Sequence, residues 1–210
     1  MTDSPQTSDT APRTTREDWL ALALDTLVRD GIDRLKIQIM ARNLGVSRSS
    51  FYWHFKSTQD LRDQMLGHWL DHNTGPIIQR ALRPADSIGA AVLNVFECWI
   101  DDQLFDPALD IAVRLWGRRD ADVRKVVADA DNQRLDALTR MFARYDYPPA
   151  EALVRARILY FSQIGQYTLD VHDTLDTRLS RTADFLLTHT GRPADPADIA
   201  RFTELARART

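Results

Sequence analysis

The sequence predicts an all-α protein, a small three-helix head followed by a larger helical body. Three observations predict it. Apolar residues recur at three- and four-residue spacing along most of the chain. The pattern of Ser or Thr followed three residues later by an acid, which caps a helix start, opens two periodic stretches, as T-R-E-D from Thr15 to Asp18 and as S-T-Q-D from Ser57 to Asp60. Glycine or proline stands where periodic stretches run out, as at Gly31, Gly45 and Pro76.

Taken in order, the first helix is expected over about residues 16 to 30, with Leu20, Leu24, Leu27 and Val28 on one face and Gly31 as its stop. A short second helix carries Ile37, Met40 and Ala41 and closes at Leu44 and Gly45, where glycine can take the left-handed conformation that ends a helix. Ser47 offers an N-cap for a third helix of about two turns ending near His54. The fourth opens at the second capping box, carries Leu61, Met65, Leu66, Trp69 and Leu70, and breaks or kinks between Asn73 and Pro76. Two short helices around a glycine turn, with Ala41 small enough for a close crossing, make a helix-turn-helix. Residues 1–14 read as a disordered arm, 15–60 as the head and 61–210 as the body.

Composition narrows the function. With 44% hydrophobic and 27% charged residues and no apolar run near the roughly 18 residues of a membrane span, the chain reads as soluble, with no membrane partner. The N-terminal stretch lacks the apolar core of a signal peptide, and Cys98 is the sole cysteine, which leaves no intrachain disulfide and no cysteine-based zinc site; a reducing cytoplasm fits best. The net charge of −3 is unevenly spread. Between Asp33 and Asp60 there is no acid, while Arg34, Lys36, Arg42, Arg48 and Lys56 give +5, leaving −8 on the rest. A basic segment on an acidic protein confines attraction for a polyanion to one patch.

That patch contains ARNLGVSRSSFYWHF, residues 41–55. On a helix beginning at Ser47, Phe51 and Phe55 point inward, whereas Arg48, Ser49, Tyr52 and Trp53 share the outward side. Small serines permit close approach to a groove. Arg48 can fork two hydrogen bonds to guanine, Ser50 can donate or accept, and Tyr52 and His54 can reach phosphate oxygens.

At these residues the chain resembles the TetR family of bacterial transcriptional repressors. The similarity runs from about Trp19 to Trp69, through GIDRLKIQIMARNLGVSRSSFYWHFKSTQDL, with GVS followed by FYWHFKS as its most specific part. The resemblance implies a DNA-binding head, with its third helix in the major groove, on an all-helical body that binds ligand and dimerises. Carried over by position, Arg48, Ser49, Ser50 and Trp53 would face bases, while Ser47, Tyr52, His54 and Lys56 would hold the backbone. Two departures stand out. Lys36 replaces the Ser or Thr that usually caps the second helix, losing a cap worth about 1 kcal/mol while adding a candidate phosphate contact. Thr58 replaces a lysine that commonly binds phosphate.

In the body, Ile88, Val92, Val95, Phe96, Trp99 and Ile100 form a helical stripe, and further helices are expected over about 106–117 and 120–145, up to the breaker at 147–149. Residues 150–170 are apolar nearly all round, so one side needs a cover beyond the core. A second subunit is the natural cover. The family resemblance implies a dimer interface from helices at about 150–170 and 175–190, with Leu153, Tyr160, Ile164, Tyr167, Leu179, Ala183 and Leu186 as candidates; Pro196 opens a terminal helix. Trp99, Trp116, Phe142, Tyr145, Phe161 and His172 are either core or the wall of an effector cavity.

Other chemistry is sparse. His68 and His72 lie one turn apart without a clear third ligand, which reads as a solvent-facing pair, and Cys98 reads as core. No G-x-S-x-G, P-loop, dinucleotide fingerprint or other visible nucleophile suggests an enzyme, and no cofactor or metal is implied. The expected function is a homodimeric repressor on an inverted-repeat duplex operator, released by a small apolar or aromatic effector, with the body's acidity leaning toward a cationic one. The alternatives are a regulator without an effector, an activator, and a small helical enzyme or interaction module.

Overall fold

The computed structural model describes residues 14–209, and among these there are helices and no strands. All but the last residue of the expected N-terminal arm lies outside the described residues. The chain divides between Met65 and Leu66 into two compact units.

In the first unit, α1 spans Arg16–Asp30 and starts in the reciprocal capping box, with the Asp18 amide donating to the Thr15 hydroxyl and the Thr15 amide to the Asp18 carboxylate at 2.7 Å. The Thr15 amide, with the Thr15 hydroxyl donating to the same carboxylate at 3.0 Å, holds the Asp18 carboxyl below its ordinary value. A 3-10 turn leads to α2, Ile37–Asn43, which ends at Gly45 with φ of 67°, a conformation that costs glycine nothing. Lys36 occupies the N-cap of α2 without a side-chain cap. In α3, Arg48–His54, Ser47 holds the N-cap backbone position, but its hydroxyl lies 2.8 Å from that of Ser49 rather than on a helix amide, so the expected side-chain cap is not made. The core is aromatic. Trp19 meets Phe51 edge-on at 5.3 Å, Phe51 stacks on Phe55, and Leu27, Met40, Ala41 and Leu61 close around them.

Helix α4, Thr58–Trp69, starts with only half of its box: the Asp60 amide donates to Ser57, but the Asp60 carboxylate takes the Lys56 amide. The expected break or kink after it is one widened π-turn, Leu70–Thr74, running directly into α5, Gly75–Leu82. The second unit continues with α6 (Ile88–Ile100), α7 (Pro107–Gly117), α8 (Ala121–Ala143) and α9 (Pro149–Thr168). The stretch after residue 174 is two helices, α10 (Leu175–Ser180) and α11 (Thr182–Thr190), divided at Arg181, and α12 is Pro196–Ala208. One hydrophobic core, built around Val92, Val95, Leu138, Met141, Phe142, Leu159 and Leu186, joins α5, α6, α8, α9 and α11. Cys98 lies in it, and burial pushes its thiol up to about 12.

Candidate nucleic-acid interface and body cavity

The face of α3 follows from its sequence period. Phe51 and Phe55 are buried, so Arg48, Ser49, Tyr52 and Trp53 are turned out, Tyr52 at 54% and Trp53 at 86% exposure. Ser47 and Lys56 are exposed beside them, and Ser50 and His54 are partly covered at the margin. An indole so exposed on a helix stabilises nothing within the unit. Arg34, Lys36, Arg42, Arg48 and Lys56 are all exposed, and among the described residues none makes an ion pair. Five unneutralised cations around a helix carrying small hydroxyls and flat rings can hold phosphates and touch base edges.

The body treats charge in the opposite way. Arg134 is completely buried and donates to the Thr74 hydroxyl at 2.8 Å, Asp110 at 3.1 Å and the Tyr160 hydroxyl at 2.8 Å. Arg114 donates to Asp110 at 2.7 Å and grips both oxygens of Asp131 at 2.9 and 2.7 Å, while the Tyr160 hydroxyl donates to Asp131 at 2.6 Å. Trp69, at the end of α4, donates its indole N–H to Asp110 at 2.9 Å. Burial alone would raise the Asp131 carboxyl, but Arg114, Tyr160 and Arg134 outweigh it and hold it below its ordinary value. The π-turn is fixed to this network through Thr74, and through Asn73, which donates to the Asp106 carbonyl at 2.7 Å.

Beside the network lies a cavity of about 330 Å³. Its apolar wall includes Phe96, Trp99, Tyr167, Phe185 and Phe202, and its polar groups include Gln163, Arg178, Thr182 and His189. Of the aromatic and polar candidates, Trp99 and His172 line it. Trp116 and Phe142 are buried elsewhere, Tyr145 donates its hydroxyl to the Ala85 carbonyl at 2.7 Å, and Phe161 faces outward at 53% exposure.

The interface candidates also separate. Leu153 and Ala183 are exposed, Ile164 is partly covered, and Tyr167 and Leu179 line the cavity. Tyr160 and Leu186 are inside the protomer, Tyr160 because its hydroxyl completes the network, so neither offers a surface. The exposed apolar face of α9 is formed by Leu153, Val154, Ile158 and Phe161, with Leu187 exposed on α11. Sequence reading missed Arg178, His189 and the whole Arg134 network. One signal was available: Arg134 falls in register with Ala130, Ala137, Leu138 and Met141, an arginine on the apolar stripe of α8. The rings of His68 and His72 stack at 5.7 Å, and no group of three metal-ligating side chains occurs among the described residues. Nor does any described helix have the length and apolarity to cross a membrane.

Residues 20–65 match the family model for bacterial regulatory proteins of the tetR family. Over the whole fold, the chain resembles a TetR-family transcriptional regulator from Marinobacter aquaeolei VT8, with a TM-score of 0.64 at 15% identity, covering 93% of this chain and 98% of that one. It also resembles AmtR of Mycobacterium smegmatis, at 0.59 and 19% identity over 99% of both chains, and GusR of Salmonella enterica, at 0.55 and 13% over 98% of both. These likenesses carry the fold, and the matched head carries the function of binding DNA. Residues 20–65 thus match a tetR-family DNA-binding head, and the whole chain has the all-helical fold of the solved regulators it resembles.

Proposed function

We propose that the protein is a homodimeric repressor that binds an inverted-repeat operator and leaves it when a small apolar or aromatic molecule occupies the body cavity. The observation that carries the reading is the set of five exposed cations around α3 that make no ion pair among the described residues. Arg48 reads a base, with Ser49, Ser50 and Trp53 beside it; Lys36, Ser47, Tyr52, His54 and Lys56 hold the phosphate backbone. Selection of bound sequences from random duplex DNA tests this. Recovery of a two-fold symmetric site, with affinity falling steeply with salt, is expected; binding without sequence preference would refute it.

Dimerisation is supported by the row of Leu153, Val154, Ile158 and Phe161, an apolar face too continuous to leave in water. Ile158→Asp and Phe161→Asp are expected to yield monomers in sedimentation at micromolar concentration. A monomeric wild type would end the reading.

Release is supported by shared elements. Helix α7 places Pro107, Ala108 and Ile111 in the cavity wall and Asp110 in the network; α9 places Leu159 and Gln163 in the wall and Tyr160 in the network. Trp69 ties the end of α4 to the same Asp110, and α4 runs on into the head. A ligand that favours a different setting of α7 and α9 therefore biases α4, and with it the spacing of roughly 34 Å that two recognition helices need. Operator affinity measured with and without each cavity ligand tests this step.

A further inference from the structure

The cavity wall contains one cation that no carboxylate among the described residues neutralises. Arg178 lines it from α10, partly covered, with one Nη2 hydrogen committed to the Trp99 carbonyl at 2.6 Å. Among the described residues no carboxylate lies within ion-pairing distance of its guanidinium. The two carboxylates that share the lining are engaged: Asp170 with His172 at 2.8 Å and Asp173 with Arg181 at 3.3 Å. Arginine presents five N–H donors in a rigid fork, so most of the Arg178 fork is uncommitted. The remaining buried arginines show what such a group ordinarily does in this fold, since Arg114 and Arg134 each satisfy several N–H groups on carboxylate and hydroxyl oxygens.

A second, independent feature lies in the same lining. His189 is buried, with its Nδ1 lacking any hydrogen-bond partner and its ring stacked against Phe185 at 6.0 Å between centroids. Burial lowers its pKa, so the ring is neutral near pH 7 and supplies one donor and one acceptor. A buried polar atom without a partner is costly unless something outside the chain completes it. The rest of the wall is apolar and aromatic. Its volume corresponds to about 11 molecules of liquid water, which suits a compound of one or two rings.

We propose that the cavity takes an organic acid: an aromatic or branched apolar body of one or two rings, whose carboxylate pairs with Arg178 and whose hydrogen-bonding group meets His189. This rests on the reading of the cavity as the effector site and gives that effector a charge. It points away from the cation suggested by the acidity of the body as a whole, because the carboxylates of the lining are already paired and a cation would meet Arg178 unscreened.

Calorimetric titration of the full-length protein with indole-3-acetate and 4-phenylbutanoate, their primary amides, and tryptamine and 4-phenylbutylamine tests the assignment. The acids are expected to bind and raise the melting temperature, the amides to bind about tenfold or more weakly, and the amines more weakly still. Arg178→Gln keeps a donor for the Trp99 carbonyl; it is expected to weaken the acids about tenfold or more and the amides less than about threefold. Amides or amines that match the acids, acids indifferent to Arg178→Gln, or no acid binding at millimolar concentration would each overturn the proposal. Fluorescence anisotropy on a labelled operator separates the two readings. Acids that bind through Arg178 without releasing operator remove induced release and keep the acid site; release by neutral or cationic compounds alone keeps induced release and removes the acid site.

Discussion

The helix-turn-helix and the buried network of the body use arginine in opposite ways. Arg34, Arg42 and Arg48 stand in solvent with no counter-ion among the described residues, while Arg80, Arg83, Arg114 and Arg134 of the body reach carboxylates of their own chain, Arg80 and Arg83 both closing on Glu97 at 2.9 and 2.8 Å. A guanidinium with its anion inside the protein holds structure. One without an internal anion leaves its field available to an external partner, and the partner's charge can be read from the omission. In the cavity wall, Arg178 is the guanidinium left without such an anion among the described residues.

The strongest way to break this comparison is to exchange the roles. Arg134→Met strands part of the Asp110, Thr74 and Tyr160 hydrogen bonding and is expected to cost about 3–5 kcal/mol in urea unfolding, whereas Arg42→Met should change stability by less than about 0.5 kcal/mol. Equal costs would show that internal pairing does not distinguish the two regions. Next in size, Arg48→Ala is expected to lose about 1–3 kcal/mol on the best operator and to relax preference at one base pair per half-site, while Lys56→Ala weakens all sequences alike and lowers the salt slope by about one. A uniform loss in both would remove Arg48 from base reading.

Smaller still is the exchange at Lys36. Lys36→Ser restores a side-chain cap to α2 and is expected to stabilise the head by about 1 kcal/mol while reducing the salt slope of DNA binding by about one. No change in slope would mean that this lysine does not touch phosphate. The buried network of the body also has a pH signature. Folding lowers the Asp131 carboxyl below 3.8, so its stabilisation is fully present above that value and is lost as pH falls through the lower folded-state value. Acid unfolding of Asp131→Asn followed by circular dichroism should therefore show a shallower fall below pH 3.8 than wild type.

The head was legible because its signals are local. The Thr15 box, the stops at Gly31 and Gly45 and the four-residue spacing of Phe51 and Phe55 each specify geometry within a turn or two of themselves. The matched residues 20–65 add a pattern long enough to name. Most of the body's helices were legible for the same reason, the Pro196 start included, but Pro149, which opens α9, reads in sequence only as part of a breaker, and nothing local marks the division at Arg181. The site of the body was not legible. Whether a ring is wall or core depends on what packs opposite it: Trp99 borders the cavity and Phe142 does not, although both sit on apolar stripes. Tyr160 stands in a stretch that is apolar nearly all round, and only charged partners from α7 and α8, 26 residues away at the nearest, draw its hydroxyl inward.

The widened turn at Leu70–Thr74 holds an extra residue in what would otherwise be an uninterrupted rod. Removing one residue there would let the turn close to ordinary α-helical geometry, and Asn73 and Thr74 could not both keep their places. Asn73 is held by the Asp106 carbonyl and Thr74 by Arg134, so the deletion would cost one of those two attachments. The turn therefore works as a slack link. It gives the helix the one residue it needs to reach both anchors, and a gene that lost a single codon at this spot would keep every cap and every cation while unhooking one of those anchors.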